Sequence, residues 1–272
     1  MKIYIPTYNR YMARLAQALW IWPKDLPVFV VVRPEELERY EQLLTNIGLR
    51  QWTILPFGQE GVMLTRNAIL DHATGIKENR IFILDDDINF LRRKDDHAWK
   101  LRGATDEEVI EMFNELTEAL TDYAHVGVSG REGNNRVLDD WVENTRIIRF
   151  IGLRMDVLNK HGIRYRLHNR EDFDLTLRLL SLGCKNRVYY KYAQGQKESG
   201  MAGGLSGSPV REPEAMAANA HELADLHPGL VKVVQKKTKT SFGGGTRTDV
   251  ICYWKKAYER AVKTGEIPST AF

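Results

Sequence analysis

The stretch "FILDDDINF", residues 82–90, sets an apolar run against three consecutive carboxylates, Asp85, Asp86 and Asp87. Residues 80–84 read as a strand apolar enough to be buried on both faces. Like charges at the end of such a strand repel one another and resist leaving water, so they need either exposure or a cation. In extended backbone, residues two apart face the same way. Asp85 and Asp87 therefore converge, and two hard oxygen ligands suit Mg²⁺ or Mn²⁺, whose shell waters and substrate phosphates complete. A turn cap exposed to water is the competing reading of the same residues.

Outward from this stretch the chain alternates strands and helices. Strands are predicted over 3–5, 28–32 and 53–55. Between the last two, a helix opened by Pro34 runs toward Ile47 and closes at Gly48. A helix over 62–72 turns Val62, Leu64, Ala68 and Ile69 inward. After the Asp triplet come a polar insertion, a Glu-rich helix over 105–123, a strand over 126–128 and a loop rich in Gly and Asn. A strand near 147–151, a helix over 170–182 and a strand over 187–192 follow. The alternation predicts an α/β fold, a mostly parallel sheet flanked by helices. Ligands of such sheets bind beyond the carboxyl ends of the strands, which is where the triplet stands.

A chain of 272 residues with 43% hydrophobic content suits one large α/β core, or a core with a small appendage. The division expected is a main domain over 1–232 and a basic C-terminal extension over 233–272, packed on or beside it. The net charge of +3 is mild, but Lys232, Lys236, Lys237, Lys239, Arg247, Lys255 and Lys256 crowd the end of the chain. Such a cluster fits a polyanion such as nucleic acid, and equally a solvated tail. Two cysteines, Cys184 and Cys252, are too few for a disulfide framework. No apolar run approaches the roughly 20 residues of a membrane span, and the N-terminus carries no signal-like segment. A soluble, cytoplasmic protein without a membrane partner is expected.

Two further stretches bear on chemistry. In "YIPTYNR", residues 4–10, Pro6 ends the first strand, and Thr7 and Asn9 supply short polar groups in the loop beyond it. In "HNREDFDLTLRLLSLG", residues 168–183, Asn169 reads as a helix N-cap with Asp172 three positions on. A carboxylate opening a helix there also suits a general base. Adjacent helical residues diverge by about 100°, so Glu171 and Asp172 do not share one role. The Gly/Ser stretch "ESGMAGGLSGSP", residues 198–209, reads as a mobile loop, a lid over a ligand or a plain linker.

Taken in order, "IPTYNR", "GVMLTRNAIL" (61–70), "FILDDDI" and "REDFDLTLRLLSLG" resemble the GT-A fold of nucleotide-sugar-dependent glycosyltransferases, over about residues 1–195. That resemblance implies a strand-end Asp-x-Asp holding a metal on the donor diphosphate. It also implies a Glu-Asp pair that supplies the base or an acceptor contact. The basic tail and "DLHPGLVKVV" (225–234) are similar to phage DNA-modifying glycosyltransferases associated with TET/JBP-type oxygenases, which attach a sugar to the hydroxymethyl group of a modified pyrimidine in DNA. Carried over, the resemblance puts Pro6, Thr7, Asn9 and Arg10 in the nucleotide pocket, Arg66 and Asn67 near the nucleotide or diphosphate, and Asp85 and Asp86 on the donor. Asp85 and Asp87 would hold Mn²⁺ or Mg²⁺, with His227 as a further ligand whose backbone Pro228 fixes. Asp172, or failing it Glu171, would deprotonate the acceptor, and Lys236, Lys237, Lys239 and Arg247 would contact DNA.

One departure concerns the donor base: many relatives carry an acid after the second strand, where "VVVRPEE" (30–36) offers Arg33 first. The activity implied is metal-dependent transfer from a nucleotide-sugar, a UDP-sugar, to a base such as 5-hydroxymethylcytosine in phage DNA, in the host cytoplasm. Three alternatives stand beside it. One is a GT-A enzyme acting on a glycan or lipid. Another is a nucleotidyltransferase, which would want a Gly-rich phosphate loop that "PTYNRYMARL" lacks. The third is a non-catalytic nucleic-acid binder stacking bases on Tyr253, Trp254 and Tyr258, which leaves the Asp triplet without a purpose.

Overall fold

Apolar alternation builds the centre of the molecule. In the computed structural model, which describes residues 1–12, 15–196, 209, 212–238 and 245–264, β1 (Lys2–Pro6), β2 (Val28–Val32), β3 (Trp52–Pro56) and β4 (Arg80–Leu84) lie side by side and parallel, in the order β3-β2-β1-β4. Along β4 successive side chains enter opposite cores. Phe82 and Leu84 pack with Ile3, Val30, Phe113 and Phe150 on one face, and Ile81 and Ile83 with Ile69, Leu70, Ile151 and Leu175 on the other.

Helices close both faces. On the first lie α1 (Gln17–Trp20), α2 (Leu37–Asn46) and α4 (Asp106–Ala119), and on the second α3 (Val62–Gly75), α5 (Met155–Lys160) and α6 (Glu171–Ser181). The Glu-rich helix α4 begins with a capping box. Thr105 Oγ1 accepts from the Glu108 amide at 3.3 Å, and the Glu108 carboxylate accepts from the Thr105 amide at 2.9 Å.

Beyond β4 the sheet continues through β9 (Phe150–Arg154), β7 (His125–Gly130), β10 (Asn186–Gln196), β5 (Ile88–Lys94) and β6 (His97–Gly103), with β8 (Trp141–Glu143) also on β10. β7 and β10 run the same way as β1 to β4, whereas β9, β5 and β8 run against them. The sheet is thus mixed and mostly parallel. β9 fits beside β4 because Gly152 faces Phe82: a Cβ there would lie 2.4 Å from Phe82 Cε1.

Three expectations from the sequence are corrected by the structure. The "polar insertion" after the Asp triplet is the hairpin of β5 and β6. Arg93 hides that strand, yet its buried guanidinium is satisfied by backbone carbonyls of Leu138, Asp139 and Asn134 at 2.8, 3.2 and 3.0 Å. The strand expected near 147–151 is β9 and starts later, because Arg149 adopts φ 60 and breaks extended backbone. The Asn169 cap is absent: Arg170, at φ 56, occupies the N-cap position without a side-chain cap.

The C-terminal portion forms its own layer of α7 (Pro213–Leu226), β11 (Val231–Thr238), β12 (Gly245–Cys252) and α8 (Trp254–Thr264). β11 and β12 make an antiparallel pair. Leu223, Val231, Val250 and Ala257 pack against Leu167 before α6 and Leu177 and Leu180 within it, and Phe173 meets Trp254 edge-on at 5.4 Å. The division expected at 232/233 falls inside β11. No helix among the described residues is long and apolar enough to cross a membrane.

Candidate active site

The carboxyl ends of β1, β2 and β4 bring the first two motifs together. Thr7 and Arg10 follow β1, and both are buried against Asp86. Thr7 Oγ1 donates to Asp86 Oδ2 at 2.5 Å, and Arg10 Nη1 pairs with Asp86 Oδ1 and, at 3.0 Å, with Asp87 Oδ2. The Tyr40 hydroxyl bonds Thr7 Oγ1 at 2.8 Å and accepts from the Arg10 amide at 3.1 Å, fixing the loop from below. Burial pushes the Asp86 carboxyl up, against the pull of Arg10 and Thr7. Asp86 thus ties the β1 loop to the end of β4.

Asp85 and Asp87 are partly exposed, at 32% and 19% of their side chains, while Asp86 is at 8%. The middle carboxylate is the buried one, but the backbone turns at Asp86 and Asp87 where the sequence reading had extended chain, and Asp87 shares Arg10 with Asp86 while Asp85 goes to Arg66. Asp85 Oδ1 accepts from Arg66 Nη2 at 2.9 Å, and Arg66 Nη1 meets Glu171 Oε1 at 2.9 Å, so one buried guanidinium on α3 joins the strand end to the start of α6. Asp87 Oδ2 accepts from Gln196 Nε2 at 2.7 Å, while Asp87 Oδ1 is buried and has no hydrogen-bond partner among the described residues.

Asp172, beside Glu171, forms no ion pair among the described residues. Its Oδ1 accepts from the Phe173 amide, at 2.9 Å. Burial first, and then the charge of Glu171, push its carboxyl up to about 7. A half-buried carboxyl titrating near neutrality, with no cation paired to it, is suited to take a proton.

The charges are unbalanced. The carboxylates of Asp85, Asp86, Asp87, Glu171 and Asp172 outnumber the guanidiniums of Arg10, Arg66 and Arg149 that act on them. Among the described residues no group of three or more His, Cys, Asp or Glu is placed to enclose a metal ion. Two partly exposed carboxylates and the unpartnered Asp87 Oδ1 nevertheless fit a divalent cation that takes its other ligands from water and phosphate.

Other expected residues stand elsewhere or do other work. Asn67 clamps α3 to the loop before α6, donating to Tyr165 O and accepting from Tyr165 N, both at 2.8 Å. His227 Nε2 lies 2.8 Å from Asp174 Oδ1, beside Arg166, in the C-terminal layer. At Asp174 the effect of burial is outweighed by hydrogen bonds from His227 and Arg166, which hold its carboxyl low. His227 is thereby engaged with Asp174, and not with the strand-end acids. Pro6 closes β1, and Asn9, at φ 52, donates its amide to Glu36 Oε1 at 2.8 Å.

Glu36 was missed by sequence reading. It is the acid after β2 whose place the sequence gives first to Arg33, buried by the turn at Pro34–Glu36, with Oε2 unpartnered among the described residues. Arg33 instead covers the Tyr8 ring at 4.9 Å. The signal was present as two acids directly after Pro34.

The basic residues lie on the β11–β12 pair. Lys236 and Arg247 are cross-strand partners, and both reach Asp249, at 2.8 and 3.3 Å; Lys237 is exposed. Lys239 and the Gly/Ser stretch from Ser199 to Ser208 fall outside the described residues. Burial pushes the Cys252 thiol at the end of β12 up to about 12.

The mixed, mostly parallel sheet with helices on both faces is the GT-A arrangement. The S. aureus TarS 1–349 structure in complex with UDP-GlcNAc shares the fold at TM-score 0.51 and 15% identity, over 83% of this chain and 66% of that one. The chain thus spans about two thirds of the TarS structure. GalNAc-T7 with UDP, GalNAc and Mn²⁺ is similar at TM-score 0.46 and 10% identity, over 72% of this chain and 43% of that one. No curated protein matches the sequence. The TET-Associated Glycosyltransferase model matches residues 1–204, and the chain belongs to that family.

Proposed function

We propose that this glycosyltransferase moves a sugar from a nucleotide-sugar, a UDP-sugar, to the hydroxymethyl group of a modified pyrimidine in DNA, with a divalent metal. The observation that carries the reading is the joined cluster at the strand ends, where Arg66 links Asp85 to Glu171 and leaves Asp172 free beside them. Asp85 and Asp87 would hold the metal, which supplies positive charge for the departing diphosphate. Thr7 and Arg10 brace the loop on which the nucleotide rests, and the buried Glu36 offers Oε2 to its base or ribose.

Asp172 takes the acceptor hydroxyl proton. The freed oxygen attacks the anomeric carbon, and the bond to the diphosphate oxygen breaks with its electron pair on the leaving group. A positioned base contributes roughly 10²–10⁴ in rate. A DNA acceptor is supported by the family name and by exposed cations on β11 and β12. A duplex base has to be flipped to reach Asp172, at a cost of a few kcal/mol, which phosphate contacts from Lys236, Lys237, Lys239 and Arg247 would offset.

The test offers UDP-sugars with hydroxymethylated DNA, unmodified DNA, and a panel of glycans and lipids. Transfer is expected to hydroxymethylated DNA alone, abolished by chelation and in Asp87→Ala while the variant keeps its melting temperature. Glycosylation of a lipid or glycan with the DNA untouched overturns the acceptor; full activity under chelation overturns the metal.

A further inference from the structure

We propose that Arg149 is a substrate-contacting residue of the same site, its guanidinium binding a phosphate of the donor's diphosphate. The identity of the ligand rests on the glycosyl-transfer reading above.

Arg149 stands immediately before β9 and directly across from the Asp triplet, its carbonyl accepting from the Asp85 amide at 2.8 Å. At φ 60 it occupies left-handed backbone, which is costly for a non-glycine residue and persists where surrounding structure imposes it. The turn there is tight, with Phe150 N donating to Ile148 O at 2.6 Å. Held there by the bond to the Asp85 amide, the residue lies close enough for its charge to act on Asp85.

Three arginines serve this cluster, and they differ in what they hold. Arg10 pairs with Asp86 and Asp87, and Arg66 with Asp85 and Glu171. Buried guanidinium atoms without a hydrogen-bond partner occur on Arg66 too, but Arg149 alone of the three enters no ion pair among the described residues, and its Nη1 is buried without a hydrogen-bond partner there. A buried donor left unsatisfied costs more than a satisfied one returns, so its place is best explained by an anion that arrives with the substrate. The planar fork matches phosphate oxygens two at a time. Two sources could supply a phosphate, the donor diphosphate and the DNA backbone. A backbone phosphate stays at the protein surface, whereas Arg149 is held by its carbonyl on the Asp85 amide at the strand ends, with Nη1 buried there, where the donor would dock. Charge that builds on the diphosphate as its bond to the sugar breaks would then fall on Arg149.

Arg149→Gly accepts φ 60 without strain, so the variant folds, and Arg149→Lys keeps the charge but not the fork. Calorimetric titration of the full chain in Mn²⁺ buffer with UDP, uridine, inorganic pyrophosphate and hydroxymethylated duplex DNA reads the interaction. Arg149→Gly should lose about ten- to a hundredfold in affinity for UDP and pyrophosphate. Arg149→Lys should fall between it and the wild type, and affinities for uridine and DNA should stay within twofold. The melting temperature of Arg149→Gly should equal or exceed that of the wild type. Unchanged UDP and pyrophosphate affinity overturns the proposal, as does a wild type that binds neither, or a loss confined to DNA. Should pyrophosphate binding depend on Arg149 while no acceptor is glycosylated, the phosphate site stands and the transfer reading falls.

Discussion

The strand-end cleft and the C-terminal β11–β12 pair both carry dense charge, and they handle it in opposite ways. In the cleft Arg66 is at 5% exposure between Asp85 and Glu171, and Arg10 is at 11% between Asp86 and Asp87. On the hairpin Lys236 and Arg247, at 47% and 67%, share a single Asp249. Buried ions fix positions because each depends on its partner. Exposed ions are screened and worth little to folding, which leaves them available to a polyanion. One region is built to hold geometry and the other to present charge.

Arg66→Met breaks the comparison at its strongest point. It strands two carboxylates around a buried hole, and chemical denaturation should show a loss of up to about 3–5 kcal/mol. A loss below about 1 kcal/mol would place Arg66 with the hairpin cations and erase the contrast. Next in size, Gly152→Ala drives a methyl into Phe82 between two packed strands. About 1–3 kcal/mol should disappear in the same measurement, testing whether β9 is as rigid as the cleft requires.

The smallest effect belongs to the hairpin. Replacing Lys236, Lys237 and Arg247 together by Ala should leave stability within about 1 kcal/mol of the wild type. DNA affinity should fall, and its dependence on salt should flatten by about 0.9 in log–log slope for each phosphate that the variant no longer neutralises. An unchanged salt slope would mean that these side chains meet no phosphate.

The contrast also governs what sequence could reveal. β1, β2 and β4 were legible because buried parallel strands read as plain apolar runs, and the Asp triplet because nothing apolar explains it. The burial of Asp86 between two more exposed acids matched period two, but the turn that brings Asp87 together with Asp86 onto Arg10 was not legible. β5 and β6 were not legible, since Arg92, Arg93 and Lys94 read as solvated and only tertiary carbonyls make Arg93 a buried residue. His227 looked available because its partner, Asp174, lies 53 positions away in sequence. Arg149 gave no signal, because left-handed backbone in an arginine has no sequence signature. Glu36 was within reach, had the turn at Pro34 been followed one residue further.

The central claim is that the paired charges of the cleft leave Asp172 as its proton acceptor, and the pH dependence of single-turnover transfer tests it most directly. Because burial and the charge of Glu171 hold the Asp172 carboxyl above the ordinary carboxylate range, the carboxylate is protonated and idle at acid pH and ionised at higher pH, so the rate should climb with pH through a midpoint above about 4 and then level off. Asp172→Asn should be slower by roughly 10²–10⁴ and lose the rising limb, with UDP affinity retained. A wild-type midpoint near the ordinary carboxylate value of about pH 4, or an Asp172→Asn variant that keeps the wild-type rate, would contradict the account.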